Sequence, residues 1–409
     1  MAAPAAASRL HASRPRHDLL PALRQRRVKA RTFFLAVASL LLPLIVAGFG
    51  LACTFAGPSR TGALRPHAAT ATDSSVARAS GAQAALAEVP MPVALADIEE
   101  ARAQEAAKRY RMVELTLPQE YAAGPVGAAF IGPAEVLASE AEQAGRAPVV
   151  LLHGFDSSSL EYRRLLPELE AAGVAVHFFD LLGWGFGDVS AVRDFSPAAK
   201  RAQLYAFWKQ HLGGRPMVLG GASLGGGIAI DFAAAYPEAV EKLILIDAQG
   251  FIDGAPSLGP LGGLGIKVLS SWPLRWMANQ MAYYDKETYA TDDAIRIGRL
   301  HVETESWEEA SLNYLNSGGY TLSPLISKVG VPALLLWGEQ DEILDGSEQV
   351  PRFLEELGGP VRMEWIADSG HVPHLEQPKR TAELIAEFLL QPEEEPPAAR
   401  AKESAVLAV

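Results

Sequence analysis

A single cysteine, Cys53, stands in a chain of 409 residues, so an internal disulfide is excluded, and no Cys/His spacing of the zinc-holding kind occurs. Dinucleotide signatures are missing too. Gly183, Gly185 and Gly187 lie close together, but the spacing lacks the final glycine of a dinucleotide fingerprint and no fitting acidic residue follows. The expectation is therefore no cofactor and no metal. Positive charge is scarce beyond the start of the chain. Residues 1–90 hold 11 Lys and Arg against 3 Asp and Glu, which leaves 25 against 45 for the remainder, a formal −20. An acidic body repels phosphate backbones, and no basic patch with interleaved aromatics offsets it, so nucleic acid is not an expected partner and a neutral or apolar small molecule is. No internal repeat is present.

The start of the chain is unlike the rest. Eight basic residues between Arg9 and Arg31 precede an uncharged run from Thr32 to Ser59, which exceeds the ~20 residues that a spanning helix needs. Residues 32–57 can thus associate with a membrane, with the basic side retained on the cytosolic or stromal side. The stretch that follows, to Ala96, is rich in Ala, Ser, Thr and Arg with few acids, as transit peptides are. Two readings stay open: a presequence leading to a plastid, or a retained single-pass anchor or secretion signal. The division expected is 1–96 for leader, hydrophobic segment and linker, 97–250 with 321–391 for a catalytic core, 251–320 for an insertion, and 392–409 for an acidic, Pro- and Ala-rich tail.

From Asp97 the pattern turns globular. The charged, Ala-rich stretch 98–111 predicts a helix, and Met112–Leu117 alternates as a half-buried strand does. Continuous apolar runs at 147–152, 174–179, 217–219, 243–246 and 333–337 read as strands buried on both faces, and Val361–Ile366 as one more. Helical stretches alternate with them at 160–172, 196–212 and 381–390, and two further helices, 292–303 and 306–315, fall inside the insertion. Alternation of this kind forces parallel pairing with helices on both faces, and ligands in such sheets sit beyond the carboxyl ends of the strands.

Chemistry-bearing residues cluster at those ends. Gly221-Ala222-Ser223-Leu224-Gly225 follows one strand and opens a helix; a Ser at so sharp a turn needs strained backbone angles and glycine neighbours, and the turn lifts its hydroxyl clear. Serine is a poor nucleophile at neutral pH and requires a base held by a third group. Asp341 in Gly338-Glu339-Gln340-Asp341, and then His371 in Gly370-His371-Val372-Pro373-His374, are candidates for acid and base, in the order Ser, acid, His that is expected of this fold. Asp247, at the end of its own strand, is a reserve position for the acid. Glu339, Glu342, Asp368 and His374 are read as bystanders. An oxyanion requires two backbone N–H donors: Leu224, after the nucleophile, and Phe155, in the His153-Gly154-Phe155 loop that His153 braces.

These motifs together resemble the α/β-hydrolase superfamily, over most of the stretch from Ala147 to Leu390, and the segment from Ile246 to Gly319 resembles uncharacterised hydrolases of cyanobacteria and chloroplasts. The resemblance implies an α/β fold, a mostly parallel sheet with helices on both faces and a helical cap at 251–320. It implies a serine hydrolase that cleaves an ester or related acyl bond of a small hydrophobic substrate, with Ser223, Asp341 and His371 catalytic and Phe155 and Leu224 in the oxyanion hole. The same residues could serve carbon–carbon bond hydrolysis, or a ligand-binding receptor with little turnover. Epoxide chemistry is disfavoured, because those relatives use Asp where this chain has Ser223. The cap aromatics Trp272, Trp276, Tyr283 and Tyr284 are expected mainly to pack its own underside.

Overall fold

Every residue of the strand Val149–Leu152 is buried, because neighbours along a strand point to opposite faces and here both faces are covered. Val150 and Leu152 join one core layer with Leu219, Leu245 and Leu335, while Val149 and Leu151 join the other with Val218, Ile244 and Leu334. The computed structural model describes residues 86–255 and 262–390. The leader, with its uncharged run at 32–59, and the tail beyond Leu390 lie outside the described residues. Within them, no helix is long and apolar enough to cross a membrane.

Nine strands form one sheet: β1 Ala87–Glu88, β2 Tyr110–Leu115, β3 Val126–Ile131, β4 Val149–Leu152, β5 Val176–Phe179, β6 Met217–Ala222, β7 Val240–Ile246, β8 Ala333–Gly338 and β9 Val361–Ile366. Their order is β1-β2-β3-β5-β4-β6-β7-β8-β9. The first three are antiparallel and β3 meets β5 antiparallel; everything from β5 to β9 is parallel. The chain thus runs outward from β4 to β5, then returns to lay β6 on the other side of β4. That reversal opens a crevice at the carboxyl ends of β4 and β6, where the His153 loop and the Ser223 turn stand.

The long helices are α1 Ala101–Ala107, α2 Glu135–Gln143, α3 Leu165–Ala171, α4 Pro197–Ala206, α5 Leu224–Ala235, α6 Gly262–Leu269, α7 Trp272–Ala282, α8 Asp292–Arg299, α9 Trp307–Asn316, α10 Gly346–Glu356 and α11 Pro378–Leu390. Of these, α6 to α9 make the cap. Two local expectations need correction. The helix expected over 98–111 stops at Ala107, and the strand expected at 112–117 begins at Tyr110, because Tyr110 is buried and pairs with Ile131. Strand β3 has no sequence signature: its Gly127-Ala128-Ala129 offers no bulky apolar run, and a Cβ on Gly127 would come within 2.6 Å of Met112 Sδ and 2.9 Å of Asp188 Cβ.

Candidate active site

Ser223 follows β6 and caps α5 with φ 51 and ψ −120, a conformation that L-residues avoid, at a cost of roughly 1–3 kcal/mol. The turn is held on both sides. Ser223 N–H donates to Ile246 O at 2.9 Å, and Ser223 O accepts from Gln249 N at 2.9 Å. The two flanking glycines are steric requirements: a Cβ on Gly221 would lie 2.5 Å from the Gly225 backbone, and one on Gly225 would strike the Leu152 and His153 carbonyls. Leu224 is the first residue of α5, so its N–H has no partner one turn back in the helix.

The loop after β4 passes beside this turn. A Cβ on Gly154 would stand 3.5 Å from Ser223 Cβ. His153 braces the loop as expected of it: one ring nitrogen accepts from Leu181 N at 3.1 Å, which leaves the other to donate to Gly154 O at 2.8 Å. Burial holds its pKa down at about 4, so the ring is neutral. Phe155 follows, its ring 43% exposed and packed edge-on against Trp184 at 5.1 Å, with Tyr314 at 6.1 Å.

His371 and Asp341 meet at the ends of β9 and β8. His371 Nδ1 stands 2.8 Å from Asp341 Oδ2, and the second oxygen of Asp341 accepts from Ile343 N at 2.7 Å and Leu344 N at 3.0 Å. Burial works against a charged His371 ring, but the Asp341 carboxylate, by its charge and its hydrogen bond, more than offsets that and raises the pKa above its ordinary value. Glu161 adds to the same effect. Its Oε2 accepts from Gly154 N at 3.2 Å, so this carboxylate couples the histidine loop to the loop beside Ser223. The structure therefore brings all five expected residues, Ser223, Asp341, His371, Phe155 and Leu224, to one edge of the sheet, with direct bonding between His371 and Asp341.

Several residues that shape the site carried no local signal. Asp156, next to Phe155, is buried at φ 51 and paired with three cap side chains: Arg275, His301 Nε2 at 2.8 Å and Trp307 Nε1 at 2.7 Å. Burial alone would raise its pKa, yet Arg275 and His301 hold it far below the carboxylate range. At its other end α7 is fixed to the histidine loop: His371 N–H donates to Ala282 O at 2.8 Å, and Glu376 accepts from Gly370 N at 2.6 Å, Tyr284 N at 3.0 Å and Asp285 N at 2.9 Å. One cap helix thus ties the Phe155 loop to the His371 loop. Arg275, His301 and Trp307 lie 119 to 151 residues from Asp156 in sequence, so no spacing rule could have joined them.

The cap aromatics divide. Tyr283 is buried, but Trp272, Trp276 and Tyr284 are 40%, 49% and 48% exposed, and α7 buries none of its residues. The expectation that they pack beneath the cap therefore fails for these three, because Arg275 is the anchor that α7 directs at the core. His374 is buried rather than a surface bystander, with Nε2 3.2 Å from Glu161 Oε1.

Comparison with known proteins agrees with this architecture. A family model described as the alpha/beta hydrolase family matches residues 149–384. The alpha/beta hydrolase domain-containing protein VTE7 of Arabidopsis thaliana is 41% identical over 247 residues, covering 59% of this chain and 74% of that one. Lipase 3 of Moraxella sp. is 26% identical over 247 residues, 58% of this chain and 75% of its own. Among solved structures, a thermophilic esterase from Thermogutta terrifontis is alike with a TM-score of 0.54 at 22% identity, over 68% of this chain and 97% of that one; at such identity the likeness is one of fold.

Proposed function

Since the chain belongs to the alpha/beta hydrolase family, we propose that it is a serine hydrolase that cleaves an ester or related acyl bond of a small hydrophobic substrate through an acyl-enzyme. The observation that carries this reading is the buried His371–Asp341 pair at 2.8 Å, on the sheet edge where Ser223 stands on its strained turn. Nδ1 of His371 keeps its proton for Asp341, which leaves Nε2 to take the proton of Ser223. The Ser223 oxygen then attacks the acyl carbon, and the negative charge on the carbonyl oxygen is met by the N–H groups of Phe155 and Leu224. His371 returns the proton to the leaving alcohol, and water repeats the sequence to free the acid. The hydrophobic character of the acyl group is inferred from the exposed ring of Phe155, which is backed by the buried rings of Trp184 and Tyr314, with Lys200 Nζ 3.9 Å from the Trp184 ring.

A panel of aryl and aliphatic esters of increasing chain length tests the reading, with kcat/KM followed from pH 5 to 9. Activity is expected on the apolar members, and the rate should fall as pH drops through the pKa of His371, which lies above the ordinary value of ~6.5, because only the neutral ring accepts a proton. A flat profile over that range would remove His371 from the mechanism. Turnover confined to a vinylogous carbon–carbon substrate would replace the ester reading.

We further propose that a plastid presequence lies within the expected leader, residues 1–96, and ends ahead of β1. Ala87–Glu88 pairs with β2 and Val89 is buried in the core, so the folded body begins before the boundary expected at 97. The reading is supported by the composition of the segment and by the likeness of the body to a plant protein. The mature chain isolated from cells is then expected to begin well after Gly57. An uncut chain that stays in the membrane through carbonate washing would make the segment an anchor, and an uncut chain in the soluble cytosol would overturn both.

A further inference from the structure

We propose that Asp247 is a positioning residue for the base: held as the neutral acid, it donates its proton to Asp341 and so orients the carboxylate that carries His371. The inference rests on the triad reading above. It begins from an oxygen without a donor. Asp247 follows β7 at φ 41 and is fully buried; its N–H donates to Leu336 O at 2.9 Å, and its Oδ1 accepts from Gly338 N at 2.9 Å. Its Oδ2 is sealed from solvent and receives no hydrogen bond. Yet a carboxylate oxygen of Asp247, one of Asp341 and a ring nitrogen of His371 all lie within 4.8 Å of one another.

Two carboxylates placed side by side away from water cannot both stay ionised, and the proton goes to the one with the poorer set of donors. Asp341 has three: Ile343 N, Leu344 N and the His371 ring. Asp247 has one, the Gly338 amide. The groups that face Asp247 carry negative charge from two directions, Asp341 beyond the end of β8 and Glu376 after the histidine loop, and the nearby base His371 is already engaged by Asp341. Burial first, and the Asp341 charge second, accordingly push the Asp247 pKa well above the carboxylate range. A proton on Oδ2 turns the orphaned acceptor into a donor, and the carboxylate of Asp341 is the acceptor within reach. No atom is left over: the acid keeps its proton through the catalytic cycle and only directs electron density away from Asp341.

Asparagine reproduces this arrangement, since its carbonyl can accept from Gly338 N while its NH₂ donates to Asp341. Asp247→Asn is therefore expected to keep kcat/KM within about threefold of the wild type, with the acid limb of the pH profile in place. Asp247→Ala strands Gly338 N–H and leaves Asp341 without this donor, so kcat/KM should fall about 10- to 100-fold. The acid limb should move to higher pH by about one unit, because an undamped Asp341 holds the imidazolium more tightly. An Asp247→Ala profile that keeps the wild-type limb reduces Asp247 to a brace for Gly338 and overturns the proposal. Should the alanine variant not fold, the infrared difference between wild type and Asp247→Asn at neutral pH decides: the carbonyl stretch of a protonated carboxyl supports the proposal, and a carboxylate band in its place overturns it. Failure of the triad reading looks different, since then Asp247→Asn would cost on the order of 10⁴ in turnover while Asp341→Asn cost little.

Discussion

Ser223→Ala is expected to lower kcat on the order of 10⁶-fold while leaving the fold and substrate binding nearly intact. The size of the loss follows from the removal of the only oxygen that can become covalently attached to the acyl group, which strips His371 and Asp341 of anything to activate. The fold should survive because alanine meets the same φ of 51 that serine does, and the backbone bonds to Ile246 O and Gln249 N are untouched. A fluorophosphonate probe supplies the check. The wild-type chain should be labelled at one site, and the variant not at all; a variant that still takes the label would place the nucleophile elsewhere in the chain.

Asp341→Asn should cost on the order of 10⁴ in turnover, and the structure says why an isosteric change is so damaging. The Ile343 and Leu344 amides both donate to Oδ1, so the amide oxygen of an asparagine must occupy that position. Its NH₂ then stands where Oδ2 was and donates to Nδ1 of His371. That hydrogen bond selects the tautomer with its proton on Nε2, the nitrogen that must accept from Ser223. The variant should melt close to the wild type, because geometry and packing are kept. Parallel melting curves and kcat measurements check both halves, and a loss of only a fewfold in kcat would remove Asp341 from the role of acid.

The Asp156 contacts bear on how such a site is held. Its carboxylate joins the Phe155 loop to Arg275, His301 and Trp307 of the cap, and breaking one member of a buried ionic set typically costs about 3–5 kcal/mol. With His371 N–H bonded to Ala282 O at the other end of α7, the cap is bonded to both loops of the proposed site. Of the four non-glycine residues with positive φ among the described residues, Asp156, Ser223 and Asp247 stand at this framework and Asp368 precedes the histidine loop, and local strain there is offset by the bonds that surround it.

The central strands were legible because burial on both faces demands unbroken apolar runs, and only runs such as 149–152 and 333–337 satisfy that demand. Ser223 was legible for a similarly local reason: a nucleophile on a strained turn requires Gly221 and Gly225 within two residues, a constraint that writes itself into neighbouring positions. Asp341 and His371 could be proposed because each follows one of the last two strands, in the order Ser, acid, His that the α/β-hydrolase motifs imply. Strand β3 was hidden, since its Gly127 answers to Met112 and Asp188, neighbours distant in the chain, rather than to any periodicity of its own. Which side chains fasten the cap, and that Asp247 shares its burial with Asp341, were decided by tertiary structure alone. Charges and donors act over a few ångströms of space with no regard for sequence separation, so a clamp that spans 119 residues and a proton shared between the ends of two strands leave no pattern in the chain to be read.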